Sequence, residues 1–139
     1  MRMRPIKPMD GLLFGCDPEV FIRDDKGVLV CADGLIPGTK EAPHKVDGGA
    51  VQVDGMAAEI NIDPVNNFRD FNLNITKVLD QLKGMLPVGY SLDYSPSVEF
   101  PEEVWEASPP HAKELGCTPD YNAWLGSVNP PPDGEAAPR

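Results

Sequence analysis

The sequence predicts an α+β fold in which an antiparallel sheet is covered on one face by one long helix. Two β-hairpin patterns come first along the chain, and each has apolar runs on both sides of turn-forming residues. Residues 66–86 then change to the three- and four-residue spacing of an amphipathic helix. Strands joined by tight turns pair antiparallel. Because only one long helix is predicted, it can cover one face of this sheet and leaves the other face open.

The two hairpins are predicted at residues 12–31 and 50–62. The first alternates around the turn-forming sequence DDKG at residues 24–27. The second has two extended runs about Asp54-Gly55, which is a strong signal for a tight hairpin. Residues 33–49 between them are rich in glycine and proline and are predicted to be a loop without an element of its own.

The helix predicted at residues 66–86 has its apolar residues on one stripe: Phe68, Phe71, Ile75, Val78, Leu79, Leu82 and Leu86. We expect Asp63-Pro64 to open this helix and Pro87 to close it. The stripe should pack against the aliphatic face of the sheet.

Beyond the helix, residues 90–100 predict a further strand, which Ser95-Pro96 would make an edge strand or a bent one. Short helical pieces are expected around Trp105 and Lys113. Residues 1–128 are therefore predicted to form one domain. Residues 129–139, which are rich in proline and lack apolar periodicity, are predicted to be an extended or disordered tail.

The composition narrows the possible partners and compartments. The chain has 12 basic and 22 acidic residues, and its net charge of −10 repels nucleic-acid phosphates and anionic lipid surfaces. Three widely spaced cysteines suit a reducing compartment better than a disulfide scaffold. No apolar run approaches the ~20 residues that span a bilayer. We expect a cytoplasmic protein that binds neither nucleic acid nor membrane.

Carboxylates on the two hairpins are the candidate metal ligands. Asp17 and Glu19 are two residues apart and share one face of an extended strand. Glu59 and Asn61 share the polar face of the second hairpin, and the isoleucines that alternate with them face the helix. If both hairpins lie in one sheet, the three carboxylates converge, and Mg²⁺ or Mn²⁺ would neutralise them. The alternative is that they are solvated carboxylates on an exposed sheet face.

The loop at residues 33–49 also has two interpretations. Lys40 and His44 could reach a phosphate or a carboxylate, and Asp47-Gly48-Gly49 could present backbone N–H groups to an anion. The stretch PGTKEAP at residues 37–43 is equally typical of exposed turns, and this is the favoured interpretation for Lys40 and Glu41. The chain has only two histidines, which disfavours a two-histidine zinc site. It also lacks the glycine-rich nucleotide-binding motifs, so a nucleotide would have to be held another way.

Several ordered motifs resemble the amino-terminal part of the phage-type carboxylate–amine ligases, a branch of the glutamine synthetase and glutamate–cysteine ligase superfamily. The motifs are FGCDPEVFI (14–22), GLIPGTKEAP (34–43), DGGAVQVDGMAAEINIDP (47–64) and NAWLGSVNPPP (122–132). The resemblance implies a partial glutamine synthetase-like fold whose sheet holds ATP and Mg²⁺ or Mn²⁺. It also implies a reaction in which a small-molecule or peptide carboxylate is activated as an acyl phosphate and attacked by an amine.

The resemblance assigns roles to the same residues. Glu19 falls at the metal-binding glutamate of the first strand, and Asp17 falls at its acidic companion. Glu59 matches a glutamate that binds metal or bridges to the nucleotide, and Asn61 lies beside it. The segment 47–49 falls where relatives place a substrate-side loop.

The relatives continue beyond the NPPP region into a strand with a His-x-His-x-Gly motif, whereas this sequence ends at Arg139 before such a motif. We therefore expect an incomplete site with no ATP turnover in this chain alone. The alternative is a non-catalytic, phage-associated structural or interaction protein derived from the ligase fold. In either case an open sheet face favours self-association or a partner chain that covers it.

Overall fold

A computed structural model describes residues 11–114 and 121–129 of the chain and confirms the α+β class. Six strands form one antiparallel sheet: β1 (Glu19–Arg23), β2 (Leu29–Val30), β3 (His44–Val46), β4 (Gly49–Asp54), β5 (Ala57–Ile62) and β6 (Ser91–Asp93). The other elements are α1 (Phe68–Met85), α2 (Glu102–Ala107), a 3-10 helix (Pro110–Lys113) and a separate two-stranded pair, β7 (Tyr121–Asn122) and β8 (Ser127–Val128).

Both predicted hairpins form, and they lie in the same sheet. The strand order is β2-β1-β5-β4-β3, and β6 pairs with β1 beside β5. The Asp54-Gly55 signal is confirmed, since Asp54 pairs with Ala57 across a tight turn in which Gly55 has φ +57°. The pairing of β1 with β5 joins the hairpins, with Glu19 opposite Glu59 and Val20 opposite Ala58.

The expectation that residues 33–49 hold no element is wrong for β3. His44–Val46 pairs with β4 through a tight turn at Asp47-Gly48, where Gly48 has φ +85°. This is the same Asp-Gly turn signal that predicts the β4–β5 hairpin, but the strand before it is only three residues long and carries two polar side chains. Before β3 begins, the Gly38 carbonyl accepts a hydrogen bond of 3.1 Å from the Val53 N–H of β4.

The long helix packs on the predicted face of the sheet. Val78 and Leu82 of α1 are fully buried against Ile22, Val51 and Ile60. Their apolar contact removes a large area from water and is the main source of stability for this layer. Of the predicted stripe, Phe68 lies outside the core and is 78% exposed.

The helix begins later than expected, because Asn67 provides its N-cap. The Asn67 side-chain oxygen accepts a hydrogen bond of 2.9 Å from the Asp70 backbone N–H. That bond satisfies an amide which has no partner within the helix. Asp63-Pro64 therefore precedes α1 without opening it, while the end of the helix before Pro87 is as predicted.

The segment after α1 is mostly as predicted. The strand expected at residues 90–100 is limited to β6, and α2 and the 3-10 helix occupy the positions expected around Trp105 and Lys113. The predicted tail lies outside the described residues except for Asn129. Within residues 11–114 and 121–129, no helix combines the length and apolarity needed to span a bilayer.

Candidate cation site on the open sheet face

The strand register places a row of polar side chains on the sheet face opposite α1. Glu59 lies between Glu19 of β1 and Gln52 of β4, directly opposite each. The Gln52 amide donates a hydrogen bond of 3.1 Å to a Glu59 carboxylate oxygen, and Asn61 donates one of 3.3 Å to the Gln52 carbonyl oxygen. The predicted sharing of one face by Glu19 and Glu59 is confirmed.

Three carboxylates meet at one end of this row. Glu19, Asp54 and Glu59 each offer an oxygen atom within 4.8 Å of the other two. In the part of the chain that the structure describes, this is the one group of three acidic, histidine or cysteine residues close enough to hold a common metal ion. We call these three residues the acidic triad.

Burial and mutual repulsion both raise the pKa values of two members of the triad, Glu19 and Glu59. Glu59 is only 8% exposed, and burial raises its pKa first. A hydrogen bond with Asp54 and the charge of Asp54 raise this pKa further, whereas the Gln52 hydrogen bond lowers it. Partial desolvation of the Glu19 carboxyl group likewise raises its pKa, and the charge of Asp54 adds to that effect. The fold therefore disfavours the charged form of these two carboxyl groups relative to a free carboxyl group.

Lys40, in the loop before β3, lies close to the triad. Its ammonium nitrogen lies 3.9 Å from a carboxylate oxygen of Asp54, and its charge lowers the pKa of Glu19. Two of the predicted nucleotide or substrate residues, Lys40 and Asn61, are thus at or beside the triad.

Asp17 is not a member of the triad. It is exposed and precedes β1, although its charge contributes to the raised pKa values of Glu19 and Glu59. His44 is exposed on β3 opposite Val51, a residue of the helix-facing core. The structure therefore leaves His44 on the other face from the triad.

The segment Asp47-Gly48-Gly49 is docked on α1. The Asp47 backbone exchanges hydrogen bonds of 3.0 and 2.8 Å with the Gln81 side-chain amide, and its carboxylate lies 3.1 Å from the Lys77 ammonium nitrogen. Gly49 packs so closely on the Asn61 backbone that an added Cβ would lie 2.0 Å from its carbonyl oxygen. Close packing therefore accounts for Gly49, and the φ of +85° in the turn accounts for Gly48.

Asp54 is the triad residue that the sequence analysis missed. In the sequence it is recognisable only as the first residue of a hairpin turn, a role that Asp often takes. The available signal was parity: across a two-residue turn Asp54 faces Ala57, which shares a strand face with Glu59.

Fold and site together define an α+β protein whose antiparallel sheet carries three carboxylates on the face opposite its long helix. Comparison of the chain with known protein families, with curated proteins and with solved structures finds no match. The resemblance to the carboxylate–amine ligases therefore stays a prediction.

Proposed function

We propose that this chain carries the acidic, cation-binding part of an ATP- and Mg²⁺-dependent carboxylate–amine ligase. The observation that supports the proposal is the acidic triad, formed by residues of three different strands on an otherwise hydrogen-bonded polar face. Two of its members, Glu19 and Glu59, are those that the family resemblance selects.

The donor set fits a hard divalent cation. Mg²⁺ and Mn²⁺ prefer carboxylate oxygens, and Mg²⁺ commonly uses one or two carboxylates together with water and substrate phosphates. Glu19, Asp54 and Glu59 would hold the ion, and Gln52 would keep Glu59 oriented through its hydrogen bond. A cation bound there would supply charge neutralisation for phosphate oxygens during acyl transfer.

A second candidate function is a non-catalytic interaction protein built on the same fold. The β7–β8 hairpin favours it, because Trp124 is 98% exposed and three further apolar residues near it are also largely exposed, namely Tyr121, Leu125 and Val128. Clustered exposed apolar side chains commonly mark a surface that contacts another macromolecule.

Calorimetric titration with Mn²⁺ tests the cation site. We expect Glu19→Gln, Asp54→Asn and Glu59→Gln each to weaken Mn²⁺ binding by about tenfold or more. Glu41→Gln removes one exposed carboxylate outside the triad and is the matched control, for which we expect unchanged affinity. Equal affinity in all four variants would place the cation elsewhere.

Nucleotide binding separates the ligase from the interaction protein. We expect ATP to bind measurably only when Mn²⁺ is present and to lose that binding in Glu59→Gln, because the cation bridges carboxylate and phosphate. We also expect phosphate release to stay at background level in this chain alone. Mn²⁺ binding without any metal-dependent ATP binding would refute the ligase and leave the interaction protein.

A further inference from the structure

A cleft of about 520 Å³ lies beside α2, and none of its lining residues belongs to the acidic triad. Its walls combine two aromatic rings with three carboxylates: Glu99, Phe100, Glu102, Trp105 and Glu106. The Phe100 ring packs edge-on against Phe21 of β1, with ring centroids 5.9 Å apart. Because Phe21 and Glu19 share a face of β1, the cleft is attached to the open side of the sheet.

Among the residues that the structure describes, none forms a salt bridge with the three carboxylates of the cleft. Within the described ranges, the ion pairs involve Asp33, Asp47, Asp54, Asp80 and Asp93, and none involves Glu99, Glu102 or Glu106. Glu102 and Glu106 are four residues apart on α2, so their side chains lie on the same side of the helix.

Trp105 already accepts a cation from within the chain. The Lys113 ammonium nitrogen lies 5.7 Å from the centroid of the Trp105 ring and donates a hydrogen bond of 3.2 Å to the Glu106 carbonyl oxygen. A tryptophan ring attracts a positive charge through its quadrupole. The contact shows that the Trp105 ring attracts an ammonium group, which an incoming guanidinium group would have to replace, and it is an observation independent of the carboxylates.

We propose that this cleft binds a basic peptide segment through arginine side chains. A guanidinium group can stack on an aromatic ring and pair with carboxylates through its planar set of donors. The volume lies within the range of small-ligand sites, and three carboxylates suit a segment with more than one cationic side chain. The proposal does not depend on the acidic triad or on a bound metal.

Tryptophan fluorescence tests the proposal in the full chain with chelator present. The background is Trp124→Phe, because Trp124 is the other tryptophan and is almost fully exposed. The probe is a short, terminally blocked peptide that alternates arginine and alanine, at about 0.15 M salt to screen long-range attraction. We expect a saturable change in Trp105 emission, and no change with a peptide in which neutral citrulline replaces arginine.

A matched pair of double variants locates the site. Glu102→Gln with Glu106→Gln should weaken binding by about fivefold or more, since two exposed ion pairs are lost. Glu41→Gln with Glu103→Gln changes the net charge equally but touches no cleft-lining residue, and it should alter affinity by less than about twofold. Equal weakening in both pairs, or an unchanged Trp105 signal on adding the arginine peptide, would overturn the proposal.

Discussion

Replacing Glu59 by glutamine should stabilise the protein when no divalent cation is present. The substitution keeps the size of the side chain and an oxygen that can accept the 3.1 Å hydrogen bond from Gln52. It removes one negative charge from a triad whose ligand oxygens lie within 4.8 Å of one another. A side chain that only supported the fold would be expected to destabilise the protein on substitution.

The size of the effect follows from that distance. Two unit charges 4.8 Å apart repel by about 3.5 kcal/mol at an effective dielectric constant near 20, and by about 0.9 kcal/mol in bulk water. Glu19 is exposed, and Lys40 offsets part of the negative charge near Asp54. We therefore expect Glu59→Gln to raise the free energy of unfolding at pH 7 by about 1–3 kcal/mol.

The stability gained by Glu59→Gln should depend on pH, and the pKa shift of Glu59 determines the direction of that dependence. The pKa of Glu59 in the folded protein is raised above its ordinary value of 4.5. Below pH 4.5 the wild-type side chain is protonated in both folded and unfolded states and does not repel its neighbours. As pH rises through the folded-state pKa of Glu59, the wild type loses the stability that this group contributes, and the glutamine variant has no such loss at position 59. The difference between them should appear only above about pH 4.5.

Urea unfolding with and without Mn²⁺ gives both halves of the prediction. A cation at ten times its dissociation constant stabilises the wild type by about 1.4 kcal/mol, or roughly 3–6 °C in Tm for a chain of this size. Glu59→Gln should lose most of this gain, while Glu41→Gln should match the wild type in both buffers. If Glu59→Gln is less stable than the wild type at pH 7 without cation, the repulsion argument fails and Glu59 is a structural residue.

Two further predictions concern the frame around the site. Asp93 accepts hydrogen bonds from Ser95, from both its backbone and its side chain, and from Arg23, and these contacts lower its pKa to about 2. Asp93→Asn should therefore be less stable than the wild type at pH 7. In urea unfolding, this difference in stability should disappear as pH falls from about 3.8 to about 2. An equal difference at pH 7 and at about pH 2 would exclude the charge of Asp93 as its cause. Gly49→Ala should destabilise the fold by about 3 kcal/mol or more, because its Cβ would lie 2.0 Å from the Asn61 carbonyl oxygen. At Gly84, near the end of α1, an added Cβ meets nothing within 4 Å, so Gly84→Ala should instead stabilise the fold by about 0.5–1 kcal/mol. Equal melting temperatures for Gly49→Ala and Gly84→Ala would contradict the packing argument.

Local patterns were sufficient for the helix and the two hairpins. The three- and four-residue spacing predicted α1 because its apolar residues must meet the sheet together, and Val78 and Leu82 are fully buried as that spacing requires. Phe68 fits the spacing but lies in the first turn of α1 and stays exposed.

The acidic triad was only partly predictable because it combines local and distant pairing. Asp54 and Glu59 belong to one hairpin, so their shared face follows from the turn alone. Glu19 joins them through a pairing with a residue forty positions away, and no local pattern sets that register. The loop residue Lys40 reaches Asp54 by a path that glycine and proline content does not reveal.

The backbone hydrogen bond between Gly38 and Val53 has a consequence for self-association of the protein at high concentration. An unsatisfied strand edge is a template on which another copy can add its own strand and extend one sheet through many molecules. Here β3 pairs with Gly49, Ala50 and Val51 of β4. The Gly38 carbonyl accepts a hydrogen bond from the N–H of Val53, two residues further along β4. The strands at the two ends of the main strand order have only two and three residues, and β3 carries Lys45. Such short edges, of which β3 is also charged, give a growing cross-β aggregate little backbone to copy and so disfavour fibril-like assembly of the folded chain.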